Sequence, residues 1–245
     1  MNGRVTSAIG IRVLWQIRRD PRTIGLLLGI PVALLVLLKF VFDGEPSTFQ
    51  RIGAPMCGLF PFIIMFLLTS IAMLRERTTG TLERLMTMPM TKLDLLLGYG
   101  LAFGILAAIQ AIVVCATGFL VLGLDSAHGA WLVAALAICN ALLGMALGLF
   151  ASAFANTEFQ AVQFMPAIVM PQLFLCGLFI ARDQMAELLY WISWLLPLTY
   201  AYDALARATR PGTLGSRFAL DVAVTVASIL AALALGAVTM RRRTG

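Results

Sequence analysis

Residues 75–96 read RERTTGTLERLMTMPMTKLDLL. Four cations (Arg75, Arg77, Arg84, Lys92) and three acids (Glu76, Glu83, Asp94) stand there among five threonines and one proline. That set can form ion pairs and dock a partner, but it holds no nucleophile with a base beside it. Chemistry elsewhere is sparse. No G-x-x-x-x-G-K-[ST] run is present, so the chain carries no P-loop of its own. The single histidine, His128, sits in the short turn DSAHG with no ligand-spaced Cys, Asp or Glu, and no metal site is expected. The four cysteines (Cys57, Cys115, Cys139, Cys176) lie within apolar runs and read as small buried side chains. The polar groups inside those runs are Gln110, Asn140, Gln163 and Gln172. No acid stands mid-run, which counts against an ion-coupled carrier, a proton channel and an intramembrane enzyme.

The elements that position the charged stretch are apolar. Mean hydropathy is +0.93 and only 12% of residues are charged, against about a quarter in soluble domains. About 20 helical residues cross a hydrocarbon core of about 30 Å. Six runs meet that length: Ile24–Phe42, Gly53–Leu74, Leu95–Leu122, Ala130–Phe154, Ala161–Ala181 and Ala219–Met240. Residues 1–245 are expected to form one all-α membrane domain with no separate soluble part. Its parts are 1–22 as an amphipathic helix, 24–74 as spans one and two, 75–94 as a cytoplasmic loop and 95–181 as spans three to five. An outer segment at 182–218 and span six at 219–240 complete it. No cleavable leader pattern precedes the first run.

Cations set the expected orientation. Twelve flank one side: Arg4, Arg12, Arg18, Arg19 and Arg22, the four of the charged loop, and Arg241, Arg242 and Arg243. Five lie on the other: Arg51, Arg182, Arg207, Arg210 and Arg217. Both termini and the loop are therefore expected in the cytoplasm of a plasma or inner membrane. Cations placed beside spans also argue against nucleic acid as a partner. In residues 4–21, Ile9, Val13, Leu14 and Ile17 share one helical face, with Arg4, Arg12, Arg18 and Arg19 on the other side. This reads as a surface helix on membrane lipid, either a simple anchor or a lever against a partner. In the outer segment, LLYWISWLLPL is apolar and aromatic but too short to cross. With Trp191, Trp194, Pro197 and Tyr200 it reads as two short helices that dip into the outer leaflet, or as a surface loop with an aromatic belt.

The charged loop itself divides in three. RERTTGT ends a span and turns at Gly80. TLERLMTM forms a short surface helix with Glu83 in its first turn, and Pro89 stops it. TKLD then matches a helix cap, with Thr91 capping and Asp94 reaching back. Such an elbow is either a rigid turn or a docking element, and the mixed charge with Met86, Met88 and Met90 favours docking.

The loop resembles the signature of ABC-2 type permeases, the membrane halves of ABC exporters. That signature runs roughly E-R-E-x-G-T-x-E-x-L, then proline, a cap and L-L-L-G. Glu76, Arg77, Gly80, Thr81, Glu83, Leu85, Pro89 and LLLG at 95–98 stand in matching places, as does PLTYAYDAL at 197–205 against P-x-T-x-A-x-D-A-L. Thr78 replaces a common acid and Tyr99 a common lysine. The resemblance covers essentially the whole chain. It implies six transmembrane helices, a coupling helix between spans two and three, and a re-entrant segment before span six. It implies a dimer with an identical or paralogous permease above two separate ATPase subunits, which carry ATP and Mg. This chain would hold no ATPase site. Glu76, Arg77, Gly80, Thr81, Glu83, Arg84 and Pro89 would form the ATPase contact.

The drug- and antibiotic-efflux branch fits best, with a hydrophobic or amphipathic small molecule as cargo. Phe60, Phe62, Phe66, Gln172 and Phe174 are candidates for the pathway, although any one of them also reads as ordinary helix packing. A lipid or glycan exporter of the same type is the alternative. A carrier or channel without an ATPase, or an assembly subunit, is the alternative of another class.

Overall fold

The structure is a computed structural model and describes residues 3–79 and 92–239. Among those residues it is all helical, with no strand. Helix α1 covers Gly3–Arg18. Asp20 then accepts a hydrogen bond from the Thr23 amide at 3.2 Å and Pro21 takes the first turn, so the chain restarts as α2, Pro21–Val41. Pro46 opens α3, Pro46–Thr78, whose 33 residues rise about 50 Å. Helix α4, Lys92–Ala116, runs on through a π turn at Thr117–Val121. Helix α5 covers Ala130–Ser152.

Five helical stretches are long and apolar enough to cross a membrane: Pro21–Val41, Pro46–Thr78, Asp94–Val121, Ala130–Ser152 and Ser216–Thr239, with mean hydropathies of 2.3 to 2.6. Each overlaps an expected span. The run expected at Ala161–Ala181 is not one continuous α-helix. Thr157 caps α6, Glu158–Phe164, and a π turn at Met165–Val169 leads into α7, Met170–Leu175. Pro166 and Pro171 each delete a backbone donor, which forces the irregular turn. Gly177, at φ +97°, ends the segment in a conformation that side chains resist. A 3₁₀ turn at Arg182–Gln184 precedes α8, Glu187–Ser193, and α9, Pro197–Thr209. The last helix is α10, Ser216–Thr239.

The centre is the α3–α5 seam. Gly144 and Gly148, a G-x-x-x-G pair, let the two backbones touch: a Cβ at Gly144 would strike the Phe62 carbonyl, and one at Gly148 would strike Thr69 Oγ1 and the Phe66 carbonyl. Thr69 Oγ1 also donates across the seam to the Met145 carbonyl at 3.2 Å. Phe62, Met65 and Phe66 are fully buried there. Large side chains such as Leu120, Val121, Leu230 and Val238 point outward, as suits a hydrocarbon surround.

Helix ends gather at two poles. At the N-terminal pole, the end of α3 meets α1, the end of α5 and the start of α6. At the far pole, Gln50 near the start of α3 bonds the Gly123 carbonyl at 2.7 Å, and His128 lies 3.0 Å and 2.8 Å from the carbonyls of Ala208 and Gly212. The segment from Glu158 to Arg182 therefore joins one pole to the other, although it is broken midway.

Candidate functional site

Successive helix residues turn by about 100°, so three consecutive side chains at a helix end reach three directions. Arg75, Glu76 and Arg77 do so at the end of α3. Arg75 grips Glu158 of α6 with two hydrogen bonds, 2.7 and 3.1 Å. Glu76 pairs with Arg12 of α1 at 3.2 Å. Arg77 donates to the Ser152 carbonyl at the end of α5. Arg12 also donates to the Tyr99 hydroxyl of α4, and its guanidinium lies 5.9 Å from the Tyr99 ring centre. One helix end is thus tied to α1, α5 and α6 directly, and to α4 through Arg12.

The Glu158 carboxyl is held below its ordinary range by its hydrogen bonds from Arg75. Asp20 is likewise lowered, chiefly by the Thr23 hydroxyl. A cleft of about 520 Å³ opens beside this cluster, lined by Val13, Ile17, Leu68, Tyr99, Phe103 and Glu76 among others.

Helix α1 is seated more firmly than a surface anchor. Gly10 faces the Gly98 carbonyl of α4, and a Cβ at Gly98 would come within 2.7 Å of Ile9. Thr6 donates to the buried Asp94 at 3.5 Å. Thr6, Ile9, Gly10 and Val13 form the buried stripe. The expectation that Arg12 faces away with Arg4, Arg18 and Arg19 is corrected: Arg12 stands at the rim of that stripe and turns into the Glu76–Tyr99 cluster.

Of the expected coupling residues, Glu76 and Arg77 root this cluster. Gly80, Thr81, Glu83, Arg84 and Pro89 lie outside the described residues, as does Thr91. The expected pathway residues are not brought together. Phe62 and Phe66 are fully buried under α5 and present no free surface within the protomer. Phe60 is half-buried. Gln172 is buried and works as a tie, donating to the Ile168 carbonyl at 3.0 Å and accepting from the Leu198 amide at 3.3 Å. Phe174 is 59% exposed and its ring meets Phe179 at 5.6 Å.

At the far pole the charges differ. Arg182 pairs with Asp203. Arg207 and Arg217 lie 3.0 Å and 3.8 Å from Asp221, a fully buried carboxylate. The guanidiniums of Arg182 and Arg217 both lie over the Trp194 ring, at 4.3 and 4.5 Å from its centre. Tyr200 donates to the Trp194 carbonyl at 2.8 Å. Pro197 starts α9, while Trp191 is 62% exposed.

Residues missed by sequence reasoning are Arg12 as a network member, Tyr99, Glu158 and the Gly144–Gly148 pair. The glycine spacing inside an apolar run was a readable signal. Arg12 was legible as a cation one residue before the buried Val13. Tyr99 was visible only as a departure from the motif and Glu158 gave no signal, because the partners of both are distant in sequence.

Against this geometry, the comparisons with known proteins agree. A family model described as ABC-2 type transporter matches residues 4–208, and the chain belongs to that family. The chain is 25% identical over 166 residues to ABC transporter G family member 20 of Dictyostelium discoideum, covering 67% of this chain and 23% of that protein. It is 27% identical over 139 residues to the probable multidrug ABC transporter permease YbhR of Escherichia coli K12, covering 57% of this chain and 38% of that one. The chain spans well under half the length of these curated relatives. Members of the family are membrane subunits of ABC transporters, and the chain is a multi-pass membrane protein.

Proposed function

We propose that the chain is the permease of an ATP-driven ABC exporter that moves a hydrophobic or amphipathic, drug-like compound out of the cell. The observation that carries this reading is the junction at the end of α3. Arg75, Glu76 and Arg77 tie the root of the charged loop to α1, α5 and α6. A push delivered to the loop would therefore move several helices as one body. Two ATPase subunits, each with ATP and Mg, bind beneath, and a second permease protomer completes the pathway. Residues 75–94 are the coupling loop, with Glu83, Arg84, Gly80, Thr81 and Pro89 at the ATPase contact.

In this reading the chain crosses a plasma or inner membrane six times with both termini cytoplasmic. The sixth crossing is the broken run Ala161–Ala181, which starts within α6 and continues through the π turn and α7. Its pole-to-pole course supports that count. Residues 182–218 form the outer re-entrant segment. Cargo passes at the interface with the second protomer, where Phe60 and Phe174 retain free surface. The multidrug name carried by one relative supports the cargo class.

The test is a reconstituted permease–ATPase complex in proteoliposomes. Glu83→Ala and Arg84→Ala should leave membrane insertion intact and abolish substrate-stimulated ATP hydrolysis and transport, since losing one member of a desolvated interfacial ion pair costs about 2–5 kcal/mol. Transport at the unmodified rate by both variants would reduce the loop to a turn. Labelling of Gly80→Cys by an impermeant reagent from outside the cell would overturn the orientation. A quenchable label at Leu195, which is 82% exposed, should report a depth below the headgroups.

A further inference from the structure

The far-pole cleft between the start of α3, residues 177–183, α8 and α9 has a volume of about 420 Å³. Its lining includes four guanidiniums, from Arg51, Arg182, Arg207 and Arg210, against two carboxylates, Asp183 and Asp203. Most of this charge is already committed. Asp203 is held by Arg182, and Arg207 is held by Asp221. Arg51 and Arg210 form no ion pair with any described carboxylate. Arg182 Nη1 is buried with no hydrogen-bond partner. A buried donor left unmatched is costly, and an acceptor entering the cleft would satisfy it.

The rest of the lining fixes the kind of acceptor. Tyr190 and Trp194 form an aromatic wall, and Leu178, Phe179 and Ile180 supply an apolar edge. Phe179 is 69% and Ile180 51% exposed, so that edge continues onto the outer face of the protein. A planar guanidinium fork matches phosphate or carboxylate oxygens in pairs. A cation would meet an excess of positive charge, and a purely apolar ligand would bury charged groups without partners. We infer that this cleft is a binding site for the phosphate head of an anionic amphiphile, held by Arg51, Arg182 and Arg210, with its tail along Phe179 and Ile180.

Two sources share that chemistry: a phospholipid of the surrounding membrane and a free phosphate or phosphorylated cargo. The transporter reading determines only which leaflet the site faces. Binding is therefore measured on the permease alone, without ATPase or ATP, so a failure here leaves the transport reading standing and the converse also holds.

The experiment is titration of permease in phosphatidylcholine nanodiscs with short-chain phosphatidylglycerol, with inorganic phosphate and with short-chain diacylglycerol, followed by native mass spectrometry and tryptophan fluorescence. Phosphatidylglycerol should bind saturably, and diacylglycerol should not bind. Arg51→Gln/Arg210→Gln should weaken binding by roughly tenfold or more, which is about 1.4 kcal/mol or more. Both arginines are exposed and unpaired, so the double variant should keep its melting temperature. Competition by inorganic phosphate at similar concentration would identify a free anion as sufficient, and its failure to compete would assign the site to the amphiphile. Equal binding by the unmodified and double-variant proteins, or diacylglycerol binding as tightly as phosphatidylglycerol, would overturn the inference.

Discussion

The two poles use the same residue types to different ends. At the N-terminal pole each acid of the junction has its own arginine, Glu76 with Arg12 and Glu158 with Arg75, and the pairs link different helices. In the far-pole cleft four guanidiniums face two carboxylates, and Arg51 and Arg210 form no ion pair among the described residues. Matched pairs between helices transmit displacement, because a helix cannot shift without breaking one. Unmatched guanidiniums instead leave a field for an outside anion. Helix α3 joins the two, since Arg51 and Arg75 lie about 36 Å apart along it.

The largest effect should come from breaking that strut. Gly148→Val would drive a branched side chain into Thr69 and the Phe66 carbonyl. Overpacking of a tight seam costs about 3 kcal/mol. Loss of folded protein in detergent, seen as a collapsed melting transition, should remove function at both poles together. A variant that melts normally would show that the α3–α5 contact is looser than described.

Next in size is the Glu76–Arg12 pair. Glu76→Ala leaves Arg12 in a partly buried site with Tyr99 as its remaining hydrogen-bond partner among the described residues. A hydrogen bond to a charged group is worth about 2 kcal/mol. The loss should be smaller in an Arg12→Ala background, giving a coupling of roughly 1 kcal/mol. Denaturant unfolding in mixed micelles measures it. Strict additivity of the two substitutions would mean that α1 is held by its apolar stripe alone, and the poles would then differ less than their geometry implies.

Five spans are readable in the sequence because their apolar runs are long and uninterrupted. The run containing Pro166 and Pro171 is also readable as a crossing, but composition does not distinguish a continuous helix from one bent through a π turn. A two-face reading of α1 puts Arg12 on the solvent side, because it leaves no place for a cation at the stripe's rim. Phe62 and Phe66 suggest a pathway by ring type alone. Their burial depends on Gly144 and Gly148, more than 75 residues further along the chain, which allow α5 to close over them. The Arg75–Glu76–Arg77 stretch is legible as a motif, but its three partners are not, since each comes from a different helix.

A third prediction separates stability from binding. Arg51→Gln/Arg210→Gln should change unfolding free energy by no more than about 0.5 kcal/mol, the usual range for exposed positions without partners. The same measurement on Arg182→Gln should show a clear loss, because Asp203 would keep a half-buried charge without its ion partner. Equal losses in both variants would mean that the far-pole arginines are structural ties like those of the near pole.

A small effect also belongs to Arg75–Glu158, and it tests whether geometry alone makes a strong tie. The pair is bidentate at 2.7 and 3.1 Å, yet its side chains are 63% and 54% exposed. Water and salt screen an exposed pair, so Glu158→Gln should cost less than about 1 kcal/mol. The Glu158 carboxyl is lowered by Arg75, so folding favours its ionised form. The sign follows: the contribution is full above the ordinary carboxylate pKa of about 4.3 and is lost as pH falls through the lowered folded value. Unfolding measured at pH 7 should show the small difference between the unmodified protein and the Glu158→Gln variant shrink further in 1 M salt, where the screening length falls to about 3 Å. A difference that persisted in high salt would mean that the pair is shielded from solvent by something the single chain lacks, and a partner seated on this face of the N-terminal pole would be the first candidate.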